Sequence, residues 1–150
     1  MSRTARFATV AVGSLGLALT LGACGATAPS AEQGECINMA QMQEDSGEEG
    51  VEEIPTVDCG EEHDAQVVYT YEVEHDEFPG EEALFEEAAD ECIPGFEDFV
   101  GSDFMESDLD VVPLTPTADS WDQADDREVL CIAFAMDGST TTESWEGSGL

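Results

Sequence analysis

The chain has 150 residues, with 36 aspartates and glutamates against three arginines and no lysine, a formal net charge of −33. Such a surface repels a phosphate backbone, which excludes nucleic acid as a partner, and it repels anionic lipid headgroups as well. At 41% hydrophobic residues the chain is too apolar for a disordered acidic tail, and its length suits one domain with a short extension.

The first 24 residues, MSRTARFATVAVGSLGLALTLGAC, place Arg3 and Arg6 before an uncharged apolar run that ends in small residues and Cys24. This order predicts a secretory signal peptide over residues 1–23, too short for a stop-transfer helix. Because LTLGAC ends in a cysteine, it resembles the lipobox of bacterial lipoproteins, which implies diacylation of Cys24. Two acyl chains anchor stably where one is marginal, at about 0.8 kcal/mol per buried methylene. The expected location is the cell membrane, with the domain lipid-anchored on the extracytoplasmic face. Small residues and proline over 24–33 predict a flexible tether, followed by a domain over 34–150.

All 36 acidic residues lie beyond residue 23, where Arg127 is the one basic side chain, so the expected mature chain has a net charge of −35. A solvated exterior is the commonest use of such charge. Salt tolerance, cationic partners and weak divalent cation binding are its other uses. QEDSGEEGVEE, residues 43–53, reads as a mobile acidic loop.

With Cys24 assigned to lipid, Cys36, Cys59, Cys92 and Cys131 remain, an even count that predicts two disulfides in an exported domain. Spacing leaves three pairings open. ECINM (35–39) and IPTVDC (54–59) read as neighbouring short strands, which favours Cys36 with Cys59 and leaves Cys92 for Cys131. Each bond closes a loop of a few tens of residues, worth about 2–4 kcal/mol.

AQVVYTYEVEH, residues 65–75, alternates with Val67, Tyr69, Tyr71 and Val73 on one face and predicts a strand. FPGEEALFEEAADEC, residues 78–92, changes period: Leu84, Ala88 and Cys92 recur every four, Pro79 and Gly80 open a helix, and Glu81 and Glu82 suit its first turn. Pro94 and Gly95 are expected to end it, with one more helical turn around Phe96, Phe99 and Val100. DLDVVPL (108–114) is a strand, and REVLCIAFAM (127–136), apolar on both faces, is a central one. MDGS turns into a last strand over TTTESW, residues 140–145. The expected fold is α+β, a small, largely antiparallel sheet with one or two helices on one face and two disulfides.

Cys59 and His63, four apart, could form a zinc site or a nucleophile–base pair. Zinc needs further ligands and His75 is the only other histidine, while Asp58, Glu61, Glu62 and Asp64 would raise a thiol's pKa. His63 is therefore expected to be structural, bonded to backbone or a carboxylate at the strand entrance. Arg127 could recognise a carboxylate or phosphate, but is expected to be structural, forking onto Asp125, Asp126 or a more distant carboxylate and stacking on Trp121. No calcium loop, Ser-x-x-Lys, Gly-x-Ser-x-Gly or P-loop motif occurs, so no catalytic residue, cofactor or dedicated metal site is expected.

GEC (34–36), VDCGEEHDAQVV (57–68), FPGEEAL (78–84), ADEC (89–92), SWDQADDREVLC (120–131) and DGSTTTESWEGS (137–148) follow one another in an order that resembles the septum-formation domain of actinobacterial lipoproteins. The likeness spans about residues 34–149. It implies a small cell-envelope module without established enzymatic activity and loosely associated with division. This chain has Ala124 and Asp125 where family members tend to place a glycine, and its acidic loop looks expanded. The expected function is a non-enzymatic binding or structural domain that meets an envelope protein or wall component through exposed loops and the terminal strand. The alternative is an extracytoplasmic, carboxylate-dependent wall hydrolase.

Overall fold

The computed structural model describes residues 28–45, 51 and 53–150. Cys24, the residues of the expected signal peptide, and 46–50 and 52 of the acidic loop lie outside them. In chain order the elements are β1 (Cys36–Ile37), α1 (Met39–Asp45), β2 (Thr56–Val57), β3 (Ala65–Glu72), α2 (Glu81–Val100), a 3-10 turn (Phe104–Glu106), β4 (Leu109–Leu114), α3 (Ala118–Ala124) and β5 (Glu128–Ala135). Among the described residues the strands form one five-stranded sheet in the order β2-β1-β3-β5-β4, antiparallel throughout. The fold is α+β.

One disulfide pins the β2–β1 end of this sheet and the other fastens the long helix to it. Cys36 on β1 bonds Cys59 just after the neighbouring β2, with Cα atoms 5.3 Å apart. Cys92 on α2 bonds Cys131 on β5, with Cα atoms 5.4 Å apart, and so clamps the long helix to the central strand. Both are the pairings that strand patterning favours.

α2 covers one face of the sheet through Leu84, Ala88, Cys92, Phe96, Phe99 and Val100, all buried. Pro94 and Gly95 do not end it. Proline lacks the N–H for the preceding turn and costs about 3 kcal/mol in a helix interior. Burying Phe96, Phe99 and Val100 beyond it returns about 1.5–3 kcal/mol each, so the helix continues. Gly95 meets the sheet so closely that an added Cβ would sit 2.5 Å from a ring carbon of Tyr69. The helix stops at Gly101, in the left-handed conformation at φ 83, whose N–H bonds Glu97 O.

The register of β3 shifts between Val67 and Tyr69, a bulge that places Val68 on the same side as Tyr69 and Tyr71. Val67 therefore parts company with Tyr69, Tyr71 and Val73, contrary to the simple alternation, and packs with Ala65, Leu130 and Ile132 on the opposite face. That second face also receives Ile37, Ile54 and, from α1, Met42. The strand ends at Glu72, although Val73 N–H still bonds Arg127 O at 2.9 Å.

Residues 43–45 belong to α1, not to a loop. The packed fold also begins before residue 34: Ala31 is buried, and Gln33 Nε2 donates to Val68 O at 2.9 Å. Residues 140–145 form no sheet strand. Thr141 makes an isolated bridge to His63, after which the donors turn to side chains, Glu143 N–H to Thr141 Oγ1 and Trp145 N–H to Gln66 Oε1.

Candidate functional site

Cys59 has no free thiol, which removes both a zinc ligand and a nucleophile from the Cys59–His63 pair. His63 is fully buried where the chain enters β3. Its N–H donates to Thr141 O at 3.0 Å and its carbonyl accepts from Thr141 N–H at 2.8 Å. The ring Nδ1 lies 2.9 Å from Glu61 O, so that nitrogen carries the proton. Nε2 is left as a buried acceptor with no hydrogen bond among the described residues. The Trp145 ring lies beside it, centroids 6.0 Å apart.

Gln66, which sequence reading passed over, is the polar hub of this region. It is fully buried, accepts from Trp145 N–H at 2.8 Å, and donates through Nε2 to Gly34 O at 2.8 Å and Ser144 Oγ at 2.9 Å. A glutamine between Ala65 and Val67 in an otherwise apolar stretch was the available signal, since a buried amide needs several partners. Its side chain joins β3, the segment before β1 and the C-terminal segment.

Against this support the C-terminal segment forms one wall of a cleft of about 410 Å³; the start of β4 and the end of β5 form the other. Its apolar surface comes from Leu109, Ala135, Met136, Trp145 and Leu150. Leu109 and Trp145 are buried, whereas Met136 at the mouth is 59% exposed. Asp108 and Asp137 stand on the rim, both exposed. Hydrogen bonds from the Ser139 side chain and backbone hold the Asp137 carboxyl below the ordinary carboxylate range.

The sheet edge beside this cleft has its donors blocked. Met136 N–H bonds Asp108 O, so the even-numbered residues of β4 turn their backbone groups to β5 and the odd-numbered ones turn theirs outward. Of the outward positions, Leu109 N–H is taken by Ser107 Oγ at 3.1 Å, Val111 N–H by Asp110 Oδ1 at 2.8 Å, and Pro113 has none. An incoming strand finds no free donor at these positions, which disfavours β4 as a docking edge.

Arg127 lies against Trp121, its guanidinium carbon 3.5 Å from the ring centroid. Nη1 donates to Asp126 O at 2.7 Å and Trp121 O at 3.3 Å, and Nη2 pairs with Asp125 Oδ1 at 3.0 Å. Phe78 meets the other side of this group, edge-on to Trp121 at 5.6 Å. The guanidinium is thus engaged by its own fold.

A second concavity, about 580 Å³, lies between the first turns of α2 and the loop after β4, where the half-exposed Phe85 sits among Glu81, Glu82 and Glu86. Elsewhere on α2, Glu87 bonds His75 Nε2 at 2.7 Å. Burial, followed by the Glu87 and Glu91 charges, pushes the Tyr71 hydroxyl up to about 12. Among the described residues no group of three or more His, Cys, Asp or Glu side chains is placed to hold a metal ion. No helix among them is long and apolar enough to cross a membrane.

Comparison with curated proteins and with solved structures finds no match. A family model described as septum formation matches residues 23–131, from just before Cys24 into β5. The cleft's C-terminal wall, beyond Met136, lies outside the matched span. With most of its length matched, this chain belongs to the septum-formation family.

Proposed function

We propose that this septum-formation domain is a lipid-anchored binding domain of the cell envelope without chemistry of its own. In this arrangement residues 1–23 direct export, Cys24 carries the acyl chains, and the folded domain stands on the extracytoplasmic face of the cell membrane. There it holds an envelope protein or wall component engaged in septum-related work. Two disulfides suit an oxidising compartment. The acidic surface cannot itself hold the domain to anionic lipid, which leaves that task to the anchor.

The observation that carries the binding role is the cleft beside Trp145, an apolar floor on a rigid support with carboxylates only at its rim. A wall hydrolase would need one carboxyl kept protonated near neutral pH, through burial or a neighbouring carboxylate. Asp137 is instead exposed and held ionised by Ser139. A photo-crosslinking residue at Met136, in cells carrying the anchored chain, is expected to give discrete adducts that the same residue at the exposed Met105 does not. Identical adducts from both positions would remove the cleft as the binding surface.

A further inference from the structure

We infer that the cleft beside Trp145 takes a basic segment of a partner protein, with an apolar side chain seated against Met136 and flanking lysines or arginines over Asp108 and Asp137. This rests on the binding role proposed above and names its occupant.

The interior selects an apolar side chain. Leu109 and Trp145 are already packed at 5% and 4% exposure, so the apolar surface still open for contact is Met136, its half-buried neighbour Ala135 and the exposed Leu150. A thioether adapts to the shape of an incoming aliphatic or aromatic group. The same burial disfavours a sugar: the Trp145 ring faces His63 and the core and offers no open face for stacking.

The rim selects charge. Asp108 and Asp137 flank the apolar patch, and the Ser139 hydrogen bonds keep Asp137 ionised to well below neutral pH. Among the described residues no arginine or lysine is free to neutralise them. There is no lysine, and Arg127 is occupied by Trp121, Asp125 and Asp126. A second copy would bring the same excess of carboxylates and be repelled. The complementary occupant is another chain, rich in lysine or arginine.

The β4 edge bears on the manner of binding. With the outward donors at Leu109 and Val111 already bonded and Pro113 lacking one, the edge offers a peptide no free donor, which favours seating through side chains over strand addition. Gln66 and the His63–Thr141 bridge hold the receiving wall in place, so no rearrangement is required.

The test is a fluorescence-anisotropy titration of the intact chain in neutral detergent with a labelled, end-capped Lys-Leu-Leu-Arg peptide. Saturable binding is expected, with Lys-Ser-Ser-Arg and Glu-Leu-Leu-Glu failing to compete. Asp108→Asn with Asp137→Asn should weaken it by about five- to tenfold, and Met136→Ser by a similar factor. Glu81→Gln, Glu82→Gln and Glu86→Gln together remove more charge at the other concavity and should leave binding nearly unchanged. All these side chains are exposed, so each variant is expected to stay folded, and a cooperative thermal melt well above the titration temperature serves as the folding check. Equal weakening by the glutamate variant, or no saturable binding, overturns the inference. Should the peptide fail while the Met136 crosslinks stay position-specific, only the occupant is wrong; should both fail, the binding role falls too.

Discussion

Trp145 N–H donates to Gln66 Oε1 at 2.8 Å across 79 residues of sequence, between two buried residues. The same amide also bonds the half-buried Gly34 O and the exposed Ser144 Oγ, which can turn to water, whereas the Trp145 N–H is left without a partner when the amide is lost. An orphaned buried group costs about 1–3 kcal/mol. Gln66→Leu is therefore expected to lower unfolding free energy by about 1–3 kcal/mol in urea titrations. Gln66→Glu should be no better, since it offers no donor to Gly34 O.

Arg127→Ala removes a cation–π contact, two bonds to carbonyls and the Asp125 pair together. A loss of about 1–2 kcal/mol is expected by thermal melting, after discounting the exposed Asp125 partner for solvent screening. Arg127→Lys should recover only part of it, because an ammonium cannot stack on Trp121 and fork at the same time. An unchanged melting temperature for the alanine variant would contradict the structural role.

Asp125 ends α3 at φ 54, the left-handed conformation that favours glycine. Asp125→Gly relieves the backbone but loses the pair with Arg127, and the two effects, each within about 1 kcal/mol, should nearly cancel. Asp125→Ala loses the pair without backbone relief and should cost about 1 kcal/mol by the same melts.

On the β4 edge Asp110 occupies the Val111 N–H and Pro113 removes a donor. Asp110→Ala combined with Pro113→Val reopens outward N–H groups at Val111 and at the replaced proline. Concentration-dependent association is expected for that double variant by size-exclusion chromatography in about 1 M salt, where the repulsion between acidic copies is screened, and not for Asp110→Ala alone. A monomeric double variant would show that something other than donor blocking protects the edge.

Burial and the Glu87 and Glu91 carboxylates raise the Tyr71 hydroxyl from 10.0 to about 12. An acid whose folded pKa is raised binds its proton more tightly when folded, so this contribution to stability is complete below pH 10 and is lost between pH 10 and 12. Ultraviolet titration should show one tyrosinate appearing late, and Tyr71→Phe should flatten the alkaline loss of stability in that window.

The sheet and both disulfides were legible because apolar period and cysteine parity are local signals. The central strand reads as apolar on both faces, and ECINM and IPTVDC read as neighbours. The continuation of α2 through Pro94 was not legible, because its compensation comes from burial of Phe96, Phe99 and Val100 against distant strands. α3 escaped because its capping box pairs Thr117 with Ser120, not with the Glu or Gln of the usual pattern. The bulge at Val68 leaves no mark in a run of β-branched and aromatic residues. For the site, Cys59 and His63 suggest a chemical pair by spacing alone, while the cysteine count and the surrounding carboxylates make His63 a structural residue at the strand entrance. The fold uses it as a bridge to Thr141, and Gln66, Met136 and Trp145 converge only through tertiary contact.

The central claim, that the cleft beside Trp145 is where this septum-formation domain meets an envelope partner, is tested most directly by photo-crosslinking from Met136 in living cells. Discrete adducts are expected at Met136 and absent at Met105, and they should fade when Asp108→Asn and Asp137→Asn are introduced together. Adducts that are the same from both positions, or that ignore the rim substitutions, would contradict it.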